Sequence, residues 1–290
     1  MLIDIHAHAH RRRTVFPDAG IDYPTAAELV AMMDDLGIDK AVMLSRMSPE
    51  GGWVYVPPQE VLEMCREHEG RFMPFMNLDP RMAENSAKAD FRPMIDHFKR
   101  AGCAGVGEYV ANLPFDDPLQ MNVFHQIEEA GLPVIFHIAT AVGGAYGCYD
   151  ELGLPRLERV LGECPHLTML GHSQPFWAEI SADVTPEARN SYPKGKVAPG
   201  RVVELMREYP NLCGDLSAGS GHNAITRDID FGLAFLEEFQ DRLFFGTDIC
   251  HQKQDVPQIP FFRRVGAERL ISREAYEKIT WRNANRLLGL

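Results

Sequence analysis

The chain has 290 residues, 45% of them hydrophobic and 24% charged, which is typical of a globular protein with a substantial buried core. Its formal net charge of −12 argues against nucleic acid as a partner, because binding a phosphate backbone needs a basic surface. No apolar run reaches the roughly 18 residues of a membrane span, and the apolar start contains Asp4, unlike a secretion signal. We therefore expect neither a nucleic-acid nor a membrane partner.

Short β-rich segments recur along the chain, and longer helical patterns separate them. We predict eight strands, at residues 2–8, 40–46, 72–78, 104–110, 132–138, 167–173, 212–217 and 243–248. Their spacing of roughly 30 to 45 residues is the size of one βα unit. The strands are continuous apolar runs, as expected of a parallel sheet that is covered on both faces.

Capping and stop signals place helices between these strands. Thr25 is suited to cap a helix over residues 25–36, and Gly37 is suited to end it. Similar signals predict helices over residues 58–70, 117–130, 155–164 and 200–209. The long stretch over residues 177–200 is predicted to be a lid or a rim loop.

Eight such units in 290 residues predict an α/β protein with a (β/α)8 TIM barrel, formed as a single domain over residues 1–290. The alternative is a doubly wound open sheet. That fold seldom has eight units, and no G-x-G-x-x-G sequence follows the first strand.

Polar residues stand at the ends of five predicted strands, where the active site of a barrel lies. The first strand carries two histidines two positions apart, so both imidazoles point the same way. Burying all these groups together without a cation would leave charges and acceptors poorly paired. We therefore predict a divalent-metal site, whose ligands are His6, His8, Glu108, His137, His172 and Asp248.

The same residues resemble the ligand pattern of the amidohydrolase superfamily, which has His-x-His on strand one, His on strands five and six, and Asp on strand eight. The C-terminal segment 279–290, with Asn283-Ala284-Asn285-Arg286-Leu287-Leu288-Gly289-Leu290, is similar to the closing helix of the amidohydrolase 2 branch. The resemblance covers nearly the whole chain. It implies a TIM-barrel metal-dependent hydrolase, in agreement with the spacing of the strands.

The resemblance also implies how the metal is held. Decarboxylases of the superfamily use one metal and generally lack a ligand on strand four, whereas one group of hydrolases uses a glutamate there to bridge two metals. Glu108 resembles that glutamate. By this resemblance His6, His8 and Asp248 would hold the first ion and His137 and His172 the second, with Glu108 between them. We expect two ions rather than one, with zinc favoured and manganese or another divalent ion as alternatives.

A divalent ion with an open position activates water and polarises a carbonyl group, and Asp248 is placed to move the proton. The sequence thus predicts hydrolysis of an ester, a lactone or an amide, with decarboxylation of a carboxylated molecule as the alternative. A catalytically silent binding barrel is disfavoured, because a ligand residue stands at every expected strand end.

The predicted partner is a small molecule, anionic or hydroxylated, and a homo-oligomer is compatible with the sequence. Residues near the strand ends that could select this substrate are Arg11, Arg46, Tyr109, Trp177, His222 and His251. The tract Arg11-Arg12-Arg13 could hold an anionic group.

The spacing of the cysteines indicates the redox compartment of the protein. Six cysteines are scattered without a C-x-x-C pair, at positions 65, 103, 148, 164, 213 and 250. This usage is typical of reduced thiols, so we predict a cytoplasmic protein. Cys250 lies beside the motif of strand eight, where a small buried residue is the expected role.

Overall fold

A computed structural model describes residues 1–13, 23–51 and 54–290 and has strands at all eight predicted positions. A ninth, two-residue strand follows the fifth. The strands are β1 (Ile3–Ala7), β2 (Lys40–Met43), β3 (Phe72–Pro74), β4 (Val106–Tyr109), β5 (Val134–Ala139), β6 (Cys148–Tyr149), β7 (Met169–His172), β8 (Leu212–Asp215) and β9 (Leu243–Phe244).

The strands close into a barrel through parallel pairing. The order β1-β2-β3 forms one sheet and β4-β5-β7-β8-β9 the other, while β6 pairs only with β5. The amide of Met76 donates to the carbonyl oxygen of Gly105 at 3.0 Å and joins the two sheets on one side. On the other side, the amide of Ile5 donates to the carbonyl oxygen of Phe245 at 3.0 Å. These contacts complete the predicted (β/α)8 barrel.

Twelve α-helices surround the strands within the described part of the chain. They are α1 (Ala26–Leu36), α2 (Pro58–Glu67), α3 (Arg92–Arg100), α4 (Pro118–Ala130), α5 (Pro155–Glu163), α6 (Gln174–Ala178), α7 (Arg201–Glu208), α8 (Ala218–Thr226), α9 (Ile229–Glu238), α10 (Gln258–Glu268), α11 (Arg273–Glu277) and α12 (Asn283–Leu288). A π-helical turn, Lys278–Arg282, joins the last two. None of the described helices is long and apolar enough to cross a bilayer.

The predicted helix signals act as expected at α1. The side chain of Thr25 accepts the amide of Glu28, and the Glu28 carboxylate accepts the amide of Thr25, which forms a capping box. Gly37 ends the helix in the left-handed conformation, with a φ of 70°. The sequence analysis missed α3, which begins with Arg92-Pro93 and has no side-chain cap.

Two apolar layers hold the barrel. Its interior is filled by one cluster, formed by Ile3, Ile5, Val42, Leu44, Phe75, Ile135, Leu170, Cys213 and Phe244. Ala284 and Leu288 of α12 belong to the same cluster, so the C-terminal helix packs against the barrel interior. A larger cluster lies between the strands and the outer helices. This packing fixes the strand ends on which the polar residues stand.

Candidate active site

His6, near the end of β1, and His8, directly after β1, face each other. The Nε2 atoms of His6 and His8 are 3.0 Å apart, and both residues are buried. The register between β1 and β2 shifts between Asp4 and Ala7, and such an irregularity re-aims the side chains at a strand end. Asp4 accepts the amides of His6 and Thr247, each at 2.9 Å, and so ties β1 to the segment that follows β9.

Asp248 lies beside these two rings. Its Oδ1 atom is 3.4 Å from the Nε2 of His6 and 3.4 Å from the Nε2 of His8, and its Oδ2 atom is 3.7 Å from the Nε2 of His172. The residue has a left-handed φ of 54°, which is uncommon for a residue with a side chain. The amide of Asp248 donates to the carbonyl oxygen of His6 at 2.8 Å, and this bond holds the conformation in place.

Glu108 stands at the end of β4 between two histidines. Its Oε1 atom is 2.8 Å from the Nδ1 of His137, and its Oε2 atom is 3.7 Å from the Nε2 of His8. The side-chain amide of Asn77 donates to the carbonyl oxygens of Glu108 and Ser45, so the backbone here is anchored to the neighbouring strands. The two carboxylate oxygens therefore face histidines from opposite sides of the barrel mouth.

Sequence analysis missed Asp215, which organises the base of the site. Asp215 Oδ2 lies 2.6 Å from His6 Nδ1 and 3.3 Å from His172 Nδ1, and it accepts the Ser217 hydroxyl at 3.0 Å. The indole N–H of Trp177 donates to the backbone oxygen of Asp215 at 2.9 Å. Asp215 is a carboxylate inside an otherwise apolar strand, two positions before Ser217, and this signal could have revealed it.

The charges of the cluster reinforce one another. Burial opposes ionisation of Asp248, but the nearby histidines, His6 first, outweigh it and lower the pKa of the carboxyl. Burial likewise opposes ionisation of Glu108, and the hydrogen bond from His137 with the surrounding imidazoles holds its pKa well below the usual range. Burial lowers the pKa of His8 and of His137, which favours neutral imidazoles. Burial also opposes protonation of His6, but Asp215 and then Asp248 outweigh it and raise the pKa of His6 to about 10. A cation bound at His6 would therefore take the place of this proton.

Three groups of donor atoms in the cluster could hold a metal ion; one combines Asp215 with His6 and His172, and the other two consist of predicted ligands alone. Of these two, His6, His8 and Asp248 make one, and Glu108, His137 and His172 make the other. Within each group, one ligand atom from each residue lies within 4.8 Å of the others. The contacts of Asp215 with the Nδ1 atoms of His6 and His172 leave the Nε2 atoms facing the site, as in metal centres where a carboxylate orients the histidine ligand. The structure thus brings all six predicted ligands together.

A cavity of about 350 Å³ opens beside the cluster, with His137, His172 and Asp248 in its wall. Tyr146, from the loop between β5 and β6, and Tyr192, from the predicted lid, also line it. The segment 177–200 was predicted to be a lid or a rim loop. Its start differs from that prediction, because Trp177 is buried in α6, whereas its later part reaches the cavity.

Of the residues predicted to contact substrate, Arg46 is a buried cation that feels the charge of the candidate ligand Glu108. Its side chain is buried, and one of its η nitrogens donates to the hydroxyl of Tyr23 at 2.8 Å. Burial opposes protonation of Arg46, but its neighbours, Tyr23 first and then Glu108, raise its pKa. Arg46 is therefore a cation held within the electrostatic reach of the candidate metal ligands.

Tyr109 and Trp177 lie in the apolar core instead. Successive strand residues point to opposite faces, so the strand that turns Glu108 toward the site turns Tyr109 outward, where it packs against Phe124 with ring centroids 5.2 Å apart. Trp177 is 2% exposed and acts on the site only through its bond to Asp215. Both assignments as substrate contacts are corrected.

Three further predicted contacts lie on other surfaces. Arg11 is exposed and pairs with Glu63 and Glu67 of α2, at 2.6 and 2.5 Å. His222 lines a separate cavity between α8 and α10. His251 is exposed, with its Nδ1 atom 3.0 Å from the carbonyl oxygen of Gln252. They were expected at the site because each follows a strand, but the chain after the strand carries them away, in helix α8 in the case of His222.

The other arginines of the basic tract and Cys250 also have local roles. Arg13 pairs with Glu28 at 2.8 Å, and Arg12 lines a surface cavity together with Arg11. Cys250 is half-buried, its thiol faces the side-chain oxygen of Gln254 at 3.4 Å, and burial raises its pKa to about 12. A thiol with that pKa is neutral, which agrees with a packing role.

A family model described as amidohydrolase matches residues 3–290. The chain belongs to the amidohydrolase 2 family. Among curated proteins, none matches this chain with significant sequence similarity.

Solved structures of similar fold include hydrolases and decarboxylases. A probable 2-pyrone-4,6-dicarboxylic acid hydrolase from Acinetobacter baumannii, with citric acid bound, has 14% identity and a TM-score of 0.62 over 100% of this chain and 99% of that chain. The 5-carboxyvanillate decarboxylase from Sphingomonas paucimobilis has 16% identity and a TM-score of 0.63, again over 100% and 99%.

A third structure contains a metal. A dihydroxybenzoic acid decarboxylase from a Polaromonas species, with manganese and the inhibitor 2-nitroresorcinol, has 17% identity and a TM-score of 0.62 over 100% of this chain and 97% of that one. At these identities the similarity establishes the fold, and the family establishes that the chain is an enzyme.

Proposed function

We propose that this enzyme is a metal-dependent hydrolase of a small ester, lactone or amide. The observation that carries the proposal is the position of Asp248. Its carboxylate lies within 3.4 Å of two candidate ligand nitrogens and also forms part of the wall of the open cavity. One side chain thus reaches both the candidate metal centre and the space where a substrate would bind.

The donor set fits divalent ions. Imidazole and carboxylate ligands suit zinc, which we favour, and also manganese, which is bound in one structural relative. His6, His8 and Asp248 would hold one ion, and His137 and His172 a second. When bound, a divalent ion supplies Lewis acidity, which polarises a carbonyl oxygen and lowers the pKa of water toward neutrality.

Glu108 supports the proposal of two ions. Its two carboxylate oxygens face His8 and His137, which belong to different donor groups. A carboxylate that offers one oxygen to each group is suited to bridge two ions. With a single ion, only one of these oxygens would have a ligand role.

In the proposed reaction Asp248 moves the proton. The lowered pKa of its carboxyl keeps it ionised at neutral pH, so it can accept a proton from attacking water and return it to the leaving group. The side chain is 22% exposed, whereas His6 is fully buried, so Asp248 is the group of the first donor set that substrate can approach. Asp215 keeps His6 oriented during this exchange.

Decarboxylation of a carboxylated small molecule is the second candidate. Two of the structural relatives are decarboxylases, and they match this chain as well as the hydrolase does. In that reaction the ionised Asp248 would first take a proton from water. It would then deliver this proton to the carbon that loses the carboxylate, as the bond between that carbon and the carboxylate breaks and carbon dioxide leaves. A screen of lactones, amides and carboxylated rings, with separate detection of new acid and of carbon dioxide, distinguishes the two reactions.

Metal content per chain tests the centre directly. We expect two ions in the wild type and one in Glu108→Ala, measured by elemental analysis after equilibration with zinc. Glu63→Ala, which removes an exposed glutamate of α2, is the control and should keep two. One ion in both the wild type and Glu108→Ala would refute the bridging role and favour the single-metal decarboxylase.

A further inference from the structure

A second cluster of metal-binding side chains lies at the opposite end of the barrel from the candidate metal centre. His125 and Glu128 stand three residues apart on α4, and Cys164 is the C-cap of α5. These helices precede β5 and β7, which pair directly with each other. The cluster therefore lies where the two strands begin, whereas the candidate ligands His137 and His172 stand towards their ends.

The three donor atoms of this cluster are close enough to share one ion. Cys164 Sγ lies 3.5 Å from His125 Nδ1, and this nitrogen lies 4.0 Å from Glu128 Oε2. All three atoms lie within 4.8 Å of one another. Zinc bonds of about 2.3 Å to sulfur and about 2.0 Å to nitrogen, at a tetrahedral angle, place those two atoms roughly 3.5 Å apart. The sulfur and the nitrogen thus already have the separation that a zinc ion needs.

Two of the three residues are held in place by other parts of the fold. The side-chain amide of Asn211 donates to the carbonyl oxygen of Cys164 at 3.0 Å. Glu128 Oε1 accepts the backbone amide of His166 at 2.7 Å, so the other carboxylate oxygen faces His125. Donor residues that are positioned in advance lose little freedom when an ion binds.

The cluster is rich in negative charge. Among the ion pairs of the described residues, the Glu128 carboxylate has no lysine or arginine partner and lies only near His125. Burial, then Glu128 and then Glu163 raise the pKa of the Cys164 thiol to about 12. Without a cation the thiol is therefore neutral, and an ion that binds it must take the place of its proton.

We propose that Cys164, His125 and Glu128 bind a zinc ion at a site separate from the candidate metal centre. Thiolate, imidazole and carboxylate are all zinc ligands, and a thiolate disfavours magnesium and calcium. The His125 side chain is 47% exposed, so water reaches the site and completes the coordination. The thiol proton leaves to solvent as the sulfur–zinc bond forms. The ion joins α4 to the end of α5, and it does not depend on the reaction proposed above.

Titration with cobalt(II) tests this site. Cobalt binds the same types of ligand as zinc but more weakly, and a bond between cobalt and a thiolate absorbs in the near ultraviolet. None of the six candidate ligands of the metal centre is a cysteine, so this absorption reports a thiol site alone. We expect wild-type protein, stripped of metal with a chelator, to develop the absorption with one thiolate-bound cobalt per chain. Added zinc should abolish it, and Cys164→Ser should not develop it.

Variants of the other two ligands and matched controls follow the same absorption. His125 is exposed, so His125→Ala should fold and covers the case in which Cys164→Ser does not. Even loss of an outer partner of a metal ligand costs about ten- to a hundredfold in affinity, so His125→Ala and Glu128→Gln should weaken cobalt binding by at least about tenfold. Glu129→Gln, an exposed neighbour on α4, should bind as the wild type does. Cys250→Ala removes a thiol near the metal centre and should keep the full absorption.

Zinc content and stability give a second measurement. After equilibration with zinc, the wild type should contain one ion more than His125→Ala. This ion adds to those of the metal centre, whose count is the total less the ion that His125→Ala loses. Because an ion that binds only the folded state stabilises it, zinc should raise the unfolding temperature of the wild type by more than that of His125→Ala.

The outcomes distinguish this site from the metal centre. A wild type without the cobalt–thiolate absorption would overturn the proposal. So would an absorption that Cys164→Ser or His125→Ala leaves unchanged, or one that Cys250→Ala removes. Because none of these measurements uses turnover, a protein that shows the absorption but hydrolyses nothing would retain the zinc site and refute only the hydrolase proposal.

Discussion

His6 and Asp215 form the closest side-chain contact of the candidate metal centre, with His6 Nδ1 2.6 Å from Asp215 Oδ2. The contact fixes the His6 ring so that Nε2 faces His8 and Asp248. The same Asp215 oxygen lies 3.3 Å from Nδ1 of His172, which belongs to the other donor group. One buried carboxylate therefore orients a candidate ligand in each half of the site.

Asp215→Asn should weaken metal binding without removing a ligand. Loss of a carboxylate that orients a metal-binding histidine typically costs ten- to a hundredfold in metal affinity. We expect a loss of that size, measured by competition with a chelator of known affinity. Ser217→Ala removes a hydroxyl that lies 3.0 Å from both Asp215 Oδ2 and His172 Nδ1, and it should have a smaller effect because the carboxylate remains. Unchanged affinity in Asp215→Asn would show that packing alone orients the rings.

Asp248→Asn should abolish metal-dependent turnover. The amide keeps the shape of the side chain but cannot take up the proton, and general acid–base groups typically contribute about a hundred- to ten-thousandfold. The measurement is kcat at saturating metal, with the metal content determined on the same sample. Asp255→Asn, an exposed aspartate seven residues later, should retain full activity. Full activity in Asp248→Asn would refute the proton-transfer role.

The sequence predicted the barrel and the cluster because both depend on a short pattern. Apolar strands at regular spacing define the barrel, and histidines or carboxylates at strand ends define the cluster. Substrate contacts were harder to predict, because the path of a loop decides whether a residue reaches the cavity. His222 and His251 follow strands yet face outward, whereas Tyr146 reaches the cavity from the middle of a loop.

Two other differences come from the strands themselves. Successive strand residues point to opposite faces, which is why His6 and His8 were expected to point the same way. By the same rule Tyr109 cannot face the site when Glu108 does. Asp215 escaped notice because the end of its strand was placed at Ser217, two residues beyond it. The error at Tyr109 concerns the face that a residue occupies, whereas the error at Asp215 concerns where the strand ends, since Asp215 and Ser217 lie two positions apart.

Asp150 should make stability depend on pH. Burial raises the pKa of this carboxyl from 3.8 to about 7, although it accepts the amides of Arg156 and Leu157 at the start of α5. The folded state therefore binds more protons than the unfolded state between these values. Stability should fall as pH rises from about 4 to about 7, because ionised Asp150 is disfavoured in the fold; the shift corresponds to roughly 4 kcal/mol.

Asp150→Asn isolates this contribution, since the amide resembles the neutral acid at all pH values. We expect the unfolding temperature of the variant, relative to the wild type, to rise between pH 5 and pH 8 at constant metal loading. If the unfolding temperatures of the two proteins changed in parallel with pH over this range, Asp150 would not titrate as described.

Gly147→Ala should disturb the second donor group. Gly147 has a φ of +107°, and a Cβ atom there would lie 2.8 Å from Cδ2 and 2.9 Å from the carbonyl oxygen of His137. The new methyl group must displace the His137 ring or its backbone, and overpacking of this kind typically costs about 1–3 kcal/mol. Because His137 contacts Glu108, we expect a lower unfolding temperature together with fewer metal ions per chain.

Gly143→Ala is the matched control for this prediction. Gly143 lies in the same loop with a φ of +84°, but no atom lies within 4 Å of where its Cβ would stand. The Gly143→Ala variant therefore has the backbone strain, about 1 kcal/mol, but no new contact with His137. A small loss of stability with unchanged metal content is expected there. If Gly147→Ala also kept its full metal content, the close approach of the loop would not determine the position of His137.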